Sequence, residues 1–328
     1  MVSGVPVIYD FVTPLLGWAV ESPIEPKTAI AVFRTTDGSK HWQQELLRRT
    51  SSPEPVELQI QFVDQLHGFV VAGGQVGLLY RTSDGGRSWA SAPLPLIAQN
   101  FDGAMFIDRL NGWLLARSIQ RPHLYSTEDA GTSWRPRPTP GDVFGLGVRD
   151  SREAWLGSLA PGVPHVYLST DAGDTWQRSD LPPPVGISWD VGDASSRPFI
   201  HTSVQLLPGV GEVALVDTGL NGGTYAFRSF DRGVTWTSAP KPPGEVVYQD
   251  SLHWWAIQGT SLFKSADAGQ TWTKATNALL IGSTPPEIID TNHAWAQIVI
   301  VGGYGLAGTT DGGLHWTRSR VPQVFADG

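Results

Sequence analysis

Six carboxylates, Asp10, Glu57, Asp102, Asp142, Glu245 and Glu287, stand on or near short alternating apolar segments spread along the whole chain. Two carboxyl groups can hydrolyse a glycosidic bond when they lie about 5–5.5 Å apart, or about 6.5–9.5 Å apart with a water between them. These six can meet that demand if a fold gathers their segments around one central channel; the alternative is that they simply make that channel a hydrated acidic tunnel. The eight histidines suggest less. His67, His253 and His293 recur at one turn position, His41 and His315 sit inside a repeated octapeptide, and His123, His165 and His201 are scattered, so no ligand spacing for a metal emerges. No phosphate-cradling glycine loop and no Gly-x-Ser-x-Gly elbow occurs, and the chain has no cysteine. The expectation is no metal and no cofactor.

The elements that must position these groups are announced by the octapeptide, Ser/Thr-x-Asp-x-Gly-x-(Ser/Thr)-Trp. Seven copies end at Trp42, Trp89, Trp134, Trp176, Trp236, Trp272 and Trp316. Their aspartates, Asp37, Asp84, Asp129, Asp171, Asp231, Asp267 and Asp311, are separated by 47, 45, 42, 60, 36 and 44 residues. A period in this range means a solenoid, propeller or array. The residue types suit a tight turn: Asp accepts hydrogen bonds from turn amides, Gly takes a positive φ, and Ser or Thr adds a local polar contact. Seven equivalent turns around a ring point away from one another, so the aspartates are structural. Ser39 stands where the other copies have Gly, which predicts some strain in that turn.

Each repeat contains the same meander. In the second, VELQIQFV (56–63), GFVVA (68–72) and LLYRT (78–82) are strands, and Trp89 opens a fourth. An Asp before the first turn and an aromatic residue five positions on recur as Asp64/Phe69, Asp108/Trp113, Asp150/Trp155, Asp250/Trp255 and Asp290/Trp295, with Trp18 in register and Val213 as the exception. Twelve of the 14 tryptophans thereby become packing residues between repeats, leaving Trp189 and Trp254 outside the pattern. The predicted fold is all-β, one seven-bladed propeller of four-stranded antiparallel blades with the octapeptide turn between third and fourth strands. The blades fall at about 5–49, 55–95, 100–138, 142–180, 200–240, 243–276 and 284–322, and residues 177–200 form a long insertion.

Composition narrows the partners. With 23 Lys+Arg against 31 Asp+Glu, the net charge of −8 leaves no basic footprint for nucleic acid and favours neutral or cationic partners. No run of 18 apolar residues marks a spanning helix, and the start, MVSGVPVIYDF, has no signal-peptide pattern.

The seven octapeptides resemble the Asp-box, or bacterial neuraminidase repeat, of sialidases, xyloglucanases, sortilin-type receptors and photosystem II assembly-factor propellers. Pairing a turn such as DRLNGWLLA or DTNHAWAQ with a later TSDGGRSW or TTDGGLHW is most similar to the assembly-factor family and its bacterial relatives. The resemblance implies a role in assembling a protein complex; the expected location is outside the cytoplasm, and if the protein is exported its signal or anchor has been trimmed. A sialidase would need three convergent arginines and a Tyr/Glu nucleophile. Arg34, Arg81 and Arg228 sit at equivalent positions beside the motif and read as solvated strand residues. Arg117, Arg121 and Arg197 can reach the opposite face, but two share one loop.

In propellers of this class the ligand face lies opposite the motif turns. Here it receives residues 21–27, 117–123, 158–165, 217–223 and 299–304 with the insertion. Within the insertion Trp189 is flanked by Asp190, Asp193, Arg197 and His201, a mixture suited to recognition, or to a lid that packs on its own blade. The binding candidates are Trp189, Asp190, Arg197, His201, Glu245, Arg121 and Tyr304. The expected function is a monomeric, non-catalytic scaffold presenting one face to a protein complex or a glycan; the alternative is a carbohydrate-active hydrolase or lyase with a carboxylate site in the central depression.

Overall fold

A computed structural model describes residues 8–21, 29–49, 57–73, 77–95, 101–117, 121–186, 188–189, 199–207, 211–217, 224–239, 244–258, 261–277, 286–301 and 303–319. Asp190 and Arg197 lie outside them, as do the side chains of Glu245 and Asp102. The described chain is all-β, and no helix in it is long and apolar enough to cross a membrane. Five sheets have four antiparallel strands in sequence order. The second is Leu58–Phe62, Gly68–Ala72, Leu78–Thr82 and Ala90–Pro93, close to the sequence reading.

Units four and five depart from separate blades. The second strand of unit four runs on to Pro161, and Leu159, Ala160 and Pro161 pair with His201, Ile200 and Phe199, so the two units share one eight-stranded sheet. Gly157 permits the join: a Cβ there would stand 1.7 Å from the Thr202 carbonyl oxygen. Residues 177–180, read as the start of the insertion, are the fourth strand of unit four.

Aromatic rings join the units. Trp18 of unit one stacks on Phe62 of unit two at 3.5 Å, Phe69 stacks on Phe106 of unit three at 3.5 Å, and Trp295 of unit seven stacks on Phe11 of unit one at 4.4 Å. The octapeptide Trp then meets the same phenylalanine edge-on, as in Phe11–Trp42, Phe62–Trp89 and Phe106–Trp134. Such pairs contribute about 0.5–1.5 kcal/mol each beyond area burial. Gly17, Gly68 and Gly112 make room for the rings, because a Cβ would lie 2.4–2.5 Å from Phe11, Phe62 and Phe106. Gly68→Ala is therefore expected to lose about 1–3 kcal/mol by overpacking, read as a lower urea midpoint at unchanged slope; an unchanged midpoint would show that the rings yield freely.

The repeated turn is built as its residue types require. Thr82 Oγ1 accepts the Gly86 amide at 2.9 Å and donates to Asp84 at 2.8 Å, and Asp84 accepts the Ser88 amide at 2.9 Å and the Ser88 hydroxyl at 2.6 Å. In units one and seven His41 and His315 take the place of that hydroxyl, each with Nδ1 2.6 Å from the aspartate. Hydroxyl hydrogen bonds from Ser88, Thr175 and Thr271 hold Asp84, Asp171 and Asp267 down to about 2. Ser39 takes a φ of 63°, the conformation that favours Gly, and turns its Oγ to accept Trp42 Nε1 at 3.1 Å.

The motif glycine has a second role. A Cβ at Gly173, Gly233 or Gly313 would lie 2.9, 2.7 or 3.2 Å from the ring of Trp113, Trp155 or Trp255 in the preceding unit. Trp254, outside the sequence pattern, fills the one gap. Unit five carries Val213 in the Trp slot, and fully buried Trp254 packs back against Val213 and sits 2.5 Å from a Cβ built at Gly269. Neighbours on a strand point to opposite faces, so Trp254 serves one junction and Trp255 the next.

Candidate functional site

The sequence named six carboxylates, and the structure brings two of them together. Glu287, preceding Ile288 on the first strand of unit seven, accepts the Phe11 amide at 3.0 Å on both oxygens. Asp10, preceding Phe11, accepts the Phe62 amide of unit two and hydrogen-bonds to Glu287. The arrangement belongs to a series: Gln61, at the same register position in unit two, donates to the Phe106 carbonyl at 2.8 Å and accepts its amide at 2.9 Å. Each side chain thus reaches from one first strand to the backbone of the next, and the pair joins the last described sheet to the first. Tyr9 adds a bond to the Trp295 carbonyl at 3.1 Å.

Burial pushes both carboxyls above the usual range, Glu287 well above it because the Asp10 charge adds to its desolvation. One proton shared between them satisfies both. Glu21, 7% exposed at the end of the second strand of unit one, is pushed by burial up to about 7, and its Oε1 has no hydrogen-bond partner among the described residues.

Asp142 lies in a second cluster, where Tyr167 donates to it at 2.7 Å and His165 Nε2 stands 2.9 Å from its other oxygen. This is a Tyr–carboxylate pair, the composition of a sialidase nucleophile. Yet Tyr167 is 8% exposed, and burial followed by the Asp142 hydrogen bond pushes its phenol up to about 12, the opposite of activation. Glu57 is exposed. Among the described residues no group of three or more His, Asp or Glu side chains is arranged to hold a metal ion.

The described binding candidates fall on different units. Trp189 is 8% exposed; its Nε1 donates to the Leu181 carbonyl at 2.9 Å and its ring packs edge-on against Tyr225. It ties the end of unit four to the third strand of unit five. His201 is exposed beside Phe144, Arg121 is exposed where the third strand of unit three begins, and Tyr304 is half-buried opposite Val299 in unit seven.

Arg81 and Arg228 correct the reading of solvated strand residues. Arg81 donates to the Asp129 and Ala130 carbonyls at 3.2 and 3.1 Å and to Thr132, and Arg228 donates to the Ala268 carbonyl at 3.0 Å. Both cross to the octapeptide turn of the following unit. Their periodicity was the available signal; what they reach was not in it.

A cleft of about 350 Å³ opens on the turn face where unit seven meets unit one, lined by Pro14, Leu15, Asp37, Lys40, Trp295 and Arg318 among others.

No family model matches the chain, and no curated protein matches it in sequence. Solved structures do resemble it. YCF48 bound to D1 peptide is 16% identical with a TM-score of 0.65, each chain covered to 93%. YCF48 from Cyanidioschyzon merolae is 14% identical at 0.60, covering 93% of this chain and 95% of its own. The GH74 xyloglucanase from Xanthomonas campestris is 14% identical at 0.58, and this chain spans 61% of that protein's length. At such identities the likeness is one of fold. By fold the chain is a β-propeller. The structures it resembles include both a peptide-bound YCF48 and a GH74 xyloglucanase.

Proposed function

We propose that this chain is a seven-bladed Asp-box propeller that acts outside the cytoplasm as a non-catalytic scaffold, presenting one face to a protein partner. The observation that carries the reading is the fate of Asp10 and Glu287. Asp10 and Glu287 are hydrogen-bonded to each other and to the amides of Phe62 and Phe11, so no gap remains between them for a glycosidic bond. Tyr167 is buried against half-buried Asp142, with its phenol held protonated. The peptide in the YCF48 structure favours a protein over a glycan as the partner. The test is equilibrium binding to peptide and oligosaccharide arrays. Saturable capture of peptides is the expected result; capture of oligosaccharides alone would overturn the protein-partner reading.

A further inference from the structure

At four junctions the upstream unit lays a cation on the octapeptide turn of the next. Arg81 and Arg228 donate to turn carbonyls. Lys264 stands 4.6 Å from the centre of the Trp255 ring and 3.0 Å from a Cβ built at Gly312 of the unit-seven turn. Arg137, 7% exposed, reaches Asp174 beside the unit-four turn at 2.6 Å. Three of these four cations are on the third strand, opposite the second-strand aromatic position: Phe69↔Arg81, Val213↔Arg228 and Trp255↔Lys264.

At the junction of unit seven with unit one the register partner of Trp295 is Gly308, which has no side chain to send across. The cleft occupies this place. Its floor is the Trp295 ring, one wall is the Asp37–Gly38 turn, and neither the Asp37 nor the Gly38 carbonyl accepts a hydrogen bond from a described residue. The Asp37 carboxylate, held by His41 and Thr35, lines the same wall. His293 also faces the cleft, paired with Asp290, and Lys40 and Arg318 stand exposed at its rim.

We infer that this cleft takes a guanidinium or ammonium side chain from the protein partner, seated over Trp295 as Lys264 is over Trp255 and donating to the Asp37–Gly38 turn as Arg81 and Arg228 donate to theirs. The inference rests on the scaffold reading and names the chemistry of what the scaffold holds. A cation over an indole face gains from the ring quadrupole, and more so when desolvated. Lys40 and Arg318 oppose the guest and set its affinity.

The test is fluorescence anisotropy with a labelled Gly-Gly-Arg-Gly-Gly peptide and its citrulline counterpart, equal in shape but neutral. Arginine should bind at least fivefold tighter, and Lys40→Glu should tighten it about threefold to fivefold, the range of an exposed ion pair. Gly308→Lys should abolish binding by filling the cleft from within. A Cβ at Gly308 would lie 2.8 Å from Trp295, so that variant's unfolding midpoint is checked, and Lys40→Glu carries the test if it misfolds. Equal binding of arginine and citrulline, or weaker binding by Lys40→Glu, would overturn the inference. Array peptides captured without any preference for a cation would do so while leaving the scaffold reading intact; capture of oligosaccharides alone would remove both.

Discussion

Replacing Arg149 by Met is expected to remove about 3–5 kcal/mol of stability, a large share of the roughly 5–15 kcal/mol that holds a folded domain. Arg149 stands between two carboxylates where units four and five merge. Its Nε meets Glu153 at 2.7 Å and its Nη2 meets Glu212 at 2.8 Å, with those side chains 4% and 1% exposed. Glu153 retains Arg232 at 3.2 Å, but Glu212 has no second cation within salt-bridge distance among the described residues. Burial already pushes Glu212 upward, and Arg149 opposes that push. Without the guanidinium, Glu212 is a buried uncompensated charge and must take a proton to remain inside. The loss measured by urea unfolding should therefore shrink below about pH 5, and Glu212→Gln added to Arg149→Met should recover part of it. A loss under 1 kcal/mol at pH 7 would show that water reaches this junction.

Glu287→Gln should do the reverse and stabilise the protein, increasingly so as pH rises. The native state keeps a proton on the Asp10–Glu287 pair that the unfolded chain releases near its ordinary carboxyl range of about 4. Wild-type stability must then fall as pH rises from that range through the raised native values, and Glu21, raised to about 7, adds to the fall. The octapeptide aspartates act at the other end. Asp84, Asp171 and Asp267, held at about 2, contribute stability that is present above about pH 4 and lost as pH drops toward 2. The thermal midpoint should accordingly peak in mildly acidic solution. Gln61 indicates why a neutral amide suffices at position 287, since it makes the same inter-unit bond without charge. The gain at pH 8 is bounded by the cost of retaining one proton from the unfolded carboxyl range of about 4 up to that pH, roughly 5 kcal/mol at about 1.36 kcal/mol per unit. A midpoint difference between Glu287→Gln and wild type that does not change from pH 4.5 to pH 8 would show that the two carboxyls do not share a proton.

The turns and their aromatic partners were legible because their residue patterns recur from unit to unit, and a repeated unit can bury its apolar face only against its neighbour. Single residues that answer for a gap elsewhere were not legible. Trp254 breaks the repeat pattern because Val213, in another unit, fails to fill its slot, and only their packing against each other reveals the exchange. The Asp10–Glu287 contact joins residues 277 positions apart, and Gln61 hides the series because an amide and a carboxylate do the same work there under different residue names. Trp189, outside the repeats, read equally as a recognition residue or as part of a packed lid; its indole N–H finds the Leu181 carbonyl and its ring finds Tyr225, contacts no repeat pattern could announce. The open cleft at Gly308 was invisible for a simpler reason: it is marked by a side chain that is missing.

The central claim is that Asp10 and Glu287 serve the architecture and that the proposed scaffold binds without turning its ligand over. Mass spectrometry of xyloglucan, sialoside and peptide mixtures incubated with wild type and with Asp10→Asn/Glu287→Gln tests it most directly. The account predicts no new product from either protein while both bind the same peptides. Product released by wild type and absent with an equally folded double variant would contradict it.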